Sequence, residues 1–438
     1  MSTLLFFPNT LSDDFDPIFR CLGLAKTWQA HGGEAVFAVS SAYTERVQSA
    51  GFETYPLHTP RYTARHYSGA AYIHLSSMAY KIAQDGFDHP RIVAQTMQEA
   101  RRIVQQVHPA ALVGDDYALT WLIGRENGLP VVQMTNSITH PQPAPLIWWE
   151  TTPREVTPPD LSPIFNPILK ALDLPPLTSV NALMDGNLLL LPSILPLDPM
   201  PALPERTFYV GPIVSSISSY DAPPAALQSL EEEHTPVVYI NLKRSASLIG
   251  NFIRLITAAL GWRPYRVVVS TNGQEISPAE CIAPNIHVFP HVPHAWILPR
   301  ANAVIFQGSY MRMEVLQHGL PSIVIPFDTG EEYYGRLIQR TGAGINLRYS
   351  SGPYERLNVR WRGGLPWKQK TYSLHVRTEP TLTAETLHEA VNMLLEHASF
   401  KSSACALQQA LQAMDGCTQA YHAIKRLLAS APVRSLVM

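Results

Sequence analysis

Charge is scarce in this 438-residue chain: Asp, Glu, Lys and Arg together make up 16% of it, and the formal net charge is −2. With no basic run, a nucleic-acid or anionic-membrane surface is excluded as the main partner. Cysteine is scarcer still. The four present (Cys21, Cys281, Cys405, Cys417) lie too far apart for a zinc motif and are too few for a disulfide scaffold, which predicts a reduced, cytoplasmic location. Long unbroken apolar runs are also missing. The most apolar stretch, Leu188–Leu203, is interrupted by Pro192, Pro196, Pro199 and Pro201 and cannot cross a bilayer as a helix. The opening MSTLLFFPNT has no basic start and no small-residue cleavage site, so it reads as a buried first strand. No GxGxxG opens a helix and there is no P-loop or GxSxG, which argues against a nicotinamide enzyme. His291 and His294 share a proline-containing loop without further ligands nearby, so no metal site is expected.

What is present is globular. A hydrophobic content of 46% suits a folded protein, and the length suits two domains. Strand-like runs alternate with amphipathic stretches, the pattern of parallel α/β units. The first series runs through strands at Leu4–Phe7, Ala35–Val39, Glu53–Leu57, Ala111–Val113, Val131–Met134 and Asn187–Leu191. Helices are predicted at Pro17–His31, Thr44–Ala50, Arg91–His108 and Ala118–Asn127. A second series starts at Val237–Leu242 and continues through Arg266–Ser270, Ile286–Phe289, Ala303–Phe306 and Ser322–Pro326. The expected organisation is an N-terminal Rossmann-like domain over 1–214, a linker over 215–235 and a second such domain over 236–438. The last helices, within Thr383–Leu428, are expected to be able to cross back. Residues 138–182 are rich in proline and read as a long excursion outside the core. Residues 349–379 break the alternation and read as an inserted loop or hairpin.

Three places concentrate polar chemistry. The first is the turn Ser12-Asp13-Asp14-Phe15-Asp16-Pro17 after the first strand, where aspartates either cap the coming helix or act on a ligand. The second is Asp115-Asp116, just past a strand, where open α/β sheets place ligands or where an Asp can cap the next helix. The third is Asn285–Leu347. It contains His291-Val292-Pro293-His294, a small polar turn Gln307-Gly308-Ser309 opening a helix with Arg312 and Glu314, and Gly330-Glu331-Glu332.

This order of elements and loops resembles the donor half of GT-B glycosyltransferases of the UDP/TDP-sugar-dependent superfamily, including its antibiotic members. Tyr209-Val210-Gly211-Pro212 is similar to the strand exit before that family's linker, and Thr341-Gly342-Ala343-Gly344 to its GaG turn. The resemblance implies the GT-B fold, two Rossmann-like domains with parallel sheets facing a cleft. It also implies an inverting transfer from a nucleotide-diphosphate sugar, of TDP or UDP type, to a hydroxyl of a hydrophobic small molecule, without a resident cofactor. Asp14-Phe15-Asp16-Pro17 matches the DxxP variant of the family's base motif, which makes Asp14 the candidate base. Asp115 matches the carboxylate that normally orients a catalytic His, a partner this chain lacks. Glu314 matches the ribose-binding glutamate, and Gln307-Gly308-Ser309 the diphosphate turn, here one residue short. The donor set implied is Arg244, Ser245, His291, Val292, His294, Gln307, Gly308, Ser309, Arg312, Glu314, Glu331 and Glu332. Glu331 and Glu332 stand where the sugar is gripped, and Arg244 or Arg312 could pair phosphate oxygens. Phe15, Asp116, Trp148 and Trp149 form the acceptor set. Two other readings stay open: a lipid-linked acceptor, and a non-catalytic relative serving as a partner protein, which the altered diphosphate turn favours.

Overall fold

The computed structural model describes residues 2–9, 16–57, 70–75, 77–143, 156–200, 202–213, 227, 235–241, 246–274, 283–360 and 371–430. Among them, two parallel sheets dominate. The first has seven strands in the order β3-β2-β1-β5-β6-β7-β8. They are β1 (Thr3–Pro8), β2 (Glu34–Val39), β3 (Glu53–Pro56), β5 (Ala111–Asp115), β6 (Val131–Met134), β7 (Leu188–Leu191) and β8 (Thr207–Tyr209). The second has six strands in the order β11-β10-β9-β12-β13-β14. They are β9 (Val237–Asn241), β10 (Arg266–Ser270), β11 (Ile286–Phe289), β12 (Ala303–Phe306), β13 (Ser322–Val324) and β14 (Gly344–Asn346).

The central strands are apolar throughout, as both faces of such a sheet are covered by helices. Leu4 to Phe7 and Val304 to Phe306 are all buried. Both sheets place β1 or β9 at the centre, with the crossover to β5 or β12 on its far side, so the strand order reverses there. That reversal opens a crevice at the carboxyl ends of the strands, the usual ligand position in this architecture.

Two results depart from the sequence reading and a third extends it. The stretch 138–182 is not wholly outside the core. Its helix Ser162–Ala171 starts at a proline tolerated in the first turn and buries Ile164, Phe165 and Leu169 against the helices covering the first sheet. Neither Asp115 nor Asp116 caps the following helix, which runs Thr120–Asn127 with Leu119 at its N-cap, because β5 extends to Asp115 itself. The third concerns the inserted region, which is a hairpin, β15 (Glu355–Arg360) with β16 (Thr371–Arg377). β16 pairs antiparallel with β4 (Tyr72–His74) of the first half, through His375 opposite His74 and Arg377 opposite Tyr72.

The C-terminal chain forms helices Ala384–Glu396, Ala398–Gln412 and Gly416–Ser430. The last lies on the first sheet's side. Ala420, Tyr421 and Ile424 join the cluster of Leu4, Phe6 and Trp28, and Tyr421 stacks on His31 with ring centroids 4.1 Å apart.

Candidate active site

The carboxyl ends of the two sheets bring charged side chains face to face. At the end of β5, Asp115 is buried, and Arg20 of the helix Asp16–Ala30 grips it with two bonds, Nε to Oδ2 and Nη2 to Oδ1, both 2.7 Å. Burial works against the Arg20 charge, but Asp115 more than offsets it and keeps the guanidinium protonated. Burial likewise lifts the Asp115 carboxyl to about 6 while Arg20 pulls it back. The Arg20 guanidinium also lies 4.5 Å from the ring centroid of Tyr310, which belongs to the other half of the chain.

Asp116 follows with φ +53, a left-handed conformation costly for a residue with a Cβ and held here by its surroundings. Its Oδ2 is 3.2 Å from Lys81 Nζ, and its carbonyl accepts from Asn9 Nδ2. The same amide donates to Asp85, whose carboxyl burial raises to about 7 against the pull of Lys81 and Asn9. Asn9 thus ties the end of β1 to the Asp85 carboxylate and to the backbone of Asp116.

The donor-side turn starts at the end of β12. Gln307 is buried, and Gly308 has φ +105; a Cβ there would stand 2.7 Å from the Glu331 carbonyl oxygen, so the chain requires glycine. Tyr310 then crosses to the first half. Its N–H donates to Asp16 Oδ2 at 3.2 Å, and its hydroxyl meets the Pro192 and Ile213 carbonyls at 3.1 and 3.3 Å. Arg312 is buried with its guanidinium carbon 3.6 Å from the Tyr334 ring centroid.

Glu314 is partly exposed, and its Oε2 lies 2.6 Å from His294 Nδ1. Burial alone would lower the His294 pKa; Glu314 overrides it and raises it. Asn241, at the end of β9, donates to His294 Nε2 at 2.8 Å while its own Oδ1 accepts from Asn272.

The other expected contacts are placed as follows. His291 is exposed, whereas Val292 is buried in the cluster that contains Tyr239, Val304 and Phe306. Ser309 is occupied locally: Oγ accepts from the Met311 N–H and the carbonyl from Arg312. Glu331 Oε2 accepts from the Phe327 N–H at 2.7 Å. Glu332 is buried against the interdomain strand pair, with Tyr72 donating to one oxygen and Arg336 Nη2 to the other. Asp14, Phe15, Trp148, Trp149, Arg244 and Ser245 lie outside the described residues.

Sequence reasoning missed Arg20, Lys81, Asp85 and Tyr310. A signal existed only for Arg20: a lone arginine among Ile18, Leu22 and Leu24 in a helix apolar nearly all round needs a buried partner. Tyr310 was visible only as an unusual residue in the diphosphate turn.

No family model matches the chain. Among curated proteins, it is 24% identical over 367 residues to the PGL/p-HBAD biosynthesis glycosyltransferase of Mycobacterium tuberculosis (strain ATCC 25177 / H37Ra), covering 78% of this chain and 79% of that one. Among solved structures, the calicheamicin glycosyltransferase CalG4 superposes with a TM-score of 0.69 at 16% identity, covering 99% of both chains. The spinosyn rhamnosyltransferase SpnG, complexed with thymidine diphosphate, gives 0.65 at 17% identity over 97% of this chain and 100% of its own. The fold is therefore GT-B, and the chain is a homologue of glycosyltransferases.

Proposed function

We propose that this GT-B protein transfers a sugar from a nucleoside diphosphate to a hydroxyl of an apolar small molecule, with inversion in one displacement. Residues 1–214 supply the acceptor side and 236–438 the donor side. The observation that carries the reading is the meeting of the two strand-end sites: Tyr310 of the donor turn rests on Arg20, which holds Asp115, so the two sites adjoin. On the donor side, Glu314 is the acceptor for the ribose hydroxyls, a role suited to a carboxylate. His294 orients it through the 2.6 Å contact. Gly308 lets the turn pack against the Glu331 backbone, which sets the path of the chain into the helix that carries Glu314.

On the acceptor side, Asp14 is the proposed base. Asp115 does not act on a histidine; it is the fixed anchor of Arg20. The nucleotide sugar enters as co-substrate, TDP or UDP type, and no resident cofactor is invoked. Support comes from the thymidine diphosphate bound to SpnG and from the relatives named as glycosyltransferases. Among the described residues no helix is long and apolar enough to cross a membrane.

A second reading, a non-catalytic homologue, is favoured by one contact: Asp16 occupies the Tyr310 N–H in the turn where a phosphate oxygen is expected. A thermal-shift panel of UDP, TDP and GDP on the intact chain separates the readings, since a ligand of the native state raises the melting temperature. Calorimetry showing that none binds would remove the enzyme reading. Binding without turnover of any nucleotide sugar would leave the partner-protein reading.

A further inference from the structure

One short stretch of the first half makes its backbone bonds with the second. Residues 70–75 lie between β16 and the loop 327–329. The Ala71 N–H donates to the Arg377 carbonyl and the Ile73 N–H to the Phe327 carbonyl, both at 2.8 Å. Thr329 closes the end: its hydroxyl donates to the Leu75 carbonyl at 2.6 Å and accepts the Leu75 N–H at 2.9 Å. The side chains follow the backbone. Ala71 is buried in the cluster that contains Val238, Phe252 and Phe327, and Ile73 in the one that contains Leu374 and Val376. By its bonds this stretch is part of the second half, although by sequence it belongs to the first.

What it grips is the first turn of the helix Thr329–Arg340. Asp328 caps that helix by accepting the Gly330 and Glu331 N–H groups at 2.8 and 2.9 Å. Thr329 is held by the Leu75 backbone. Three positions on, Glu332 accepts from the Tyr72 hydroxyl, whose pKa burial and the carboxylate both push far above the usual phenol value, and from Arg336 at 3.2 Å. Glu331 lies between these two held residues, and its carbonyl oxygen is the atom against which Gly308 packs. The stretch therefore fixes the backbone on which the Gly308 turn rests. One residue further, the Ser137 hydroxyl donates to Tyr333 at 3.3 Å, with the Ser137 N–H fixed on Asp198 Oδ1 at 3.0 Å.

The same stretch leads to the acceptor floor. Ser77 caps the helix Met78–Gln84 through the Ala79 N–H. That helix carries Lys81, 3.2 Å from Asp116 Oδ2, and Asp85 at its end accepts from Asn9. Residues 70–75 and 77–85 thus connect the floor beyond β5 to the turn beyond β12 by a route separate from the linker.

Resting on the glycosyltransferase reading above, we infer that Tyr72 and Thr329 are positioning residues for the donor. Through Glu332 and the Leu75 backbone they set the Gly308 turn in the geometry that binds a nucleoside diphosphate. Both side chains are buried, at 3% exposure each, and their hydroxyls are spent on the seam, so they act through the turn and not on the ligand. Donor affinity then depends on a segment of the acceptor half, because a small displacement of the turn misplaces every group it carries.

Calorimetry with UDP and TDP on the intact chain, at a temperature where each variant is fully folded, tests this. Thr329→Val keeps the shape and loses the hydroxyl. It should weaken nucleotide binding by roughly 2–30-fold, the span for a coupling residue that touches neither ligand. Thr329→Ser keeps the hydroxyl and should bind as the parent does. Tyr72→Phe removes only the phenol hydroxyl, should show a loss in the same span, and decides the matter if Thr329→Val fails to fold. A seam that is only structural would lower the melting temperature and leave affinity alone. If the variants melt lower but bind as tightly as the parent, or if Thr329→Ser is as weak as Thr329→Val, this inference falls alone. If the parent binds no nucleotide, the function proposed above falls with it.

Discussion

Asp115 is the last residue of β5 and Glu314 lies on the helix that follows β12, the strands next to the central one in their own parallel sheets, but the two carboxylates are held in opposite ways. Asp115 is 1% exposed and clamped at both oxygens by an arginine that cannot lose its proton. Glu314 is 21% exposed at its side chain and shares one contact with His294, an imidazole whose pKa it raises. The first arrangement fixes a charge and, through Tyr310, the relation of the two halves. The second leaves a carboxylate that a ligand can engage. A cleft between domains needs both: a hinge region that stays put and a surface that exchanges partners.

The largest effect expected concerns Asp14. If Asp14 is the base, Asp14→Asn should lower kcat by roughly 10²–10⁴-fold. Nucleotide affinity should stay almost unchanged, because the base and the donor site belong to different halves. A fully active variant would return Asp14 to the role of helix cap and leave the acceptor side a scaffold alone.

The comparison predicts a stability effect next. Arg20→Met strands a buried Asp115 and removes the stacking on Tyr310, and should cost about 3–5 kcal/mol in denaturant unfolding. Adding Asp115→Leu to Arg20→Met should recover much of the loss, since no buried charge then remains. A single variant within 1 kcal/mol of the parent would show that water reaches Asp115 and that the site is not sealed.

Glu314→Ala should behave in the reverse sense. It should weaken nucleotide-diphosphate binding by roughly 10-fold, the loss of one charge-assisted hydrogen bond. Because the side chain is partly exposed, unfolding should change far less than for Arg20→Met. Equal melting losses for the two variants would erase the distinction between a fixed and an exchangeable side.

The sequence made the second of these sides more legible than the first. Ile286–Phe289, Ala303–Phe306 and Glu314 follow one another with short loops, so local pattern alone places them, and the strands are found where expected. Arg20 and Asp115 are 95 positions apart, and nothing local to Asp115 announces its partner. The pairing of β4 with β16 spans some 300 residues and depends on the fold already being formed; from the sequence, 349–379 could be read as a hairpin but its neighbour could not. Asp198, Tyr334 and Arg312 are scattered in the same way. They belong to different halves that Ser137 and Tyr333 join.

The smallest effect distinguishes the two sides by pH. Glu314 raises the His294 pKa, so the folded state keeps that proton to higher pH than the unfolded chain, whose histidine titrates near 6.5. This contribution to stability is complete below about 6.5 and is lost as pH rises through the folded value. Asp115 contributes in another window: its carboxyl is lifted to about 6 by burial, so its term is complete below about 4 and is lost as pH rises through about 6. Comparing the parent with Glu314→Gln cancels the carboxylate terms and isolates the histidine. The parent should lose roughly 0.2–1 kcal/mol more than the variant as pH rises from 6 to 8, the range for a partly exposed pair. Asn241 keeps the figure low. With its Oδ1 held by Asn272, it donates to Nε2, and protonating that nitrogen forces the amide to turn over. Identical slopes for parent and variant in urea unfolding would mean that His294 stays neutral across the range and that Glu314 is held by a hydrogen bond alone.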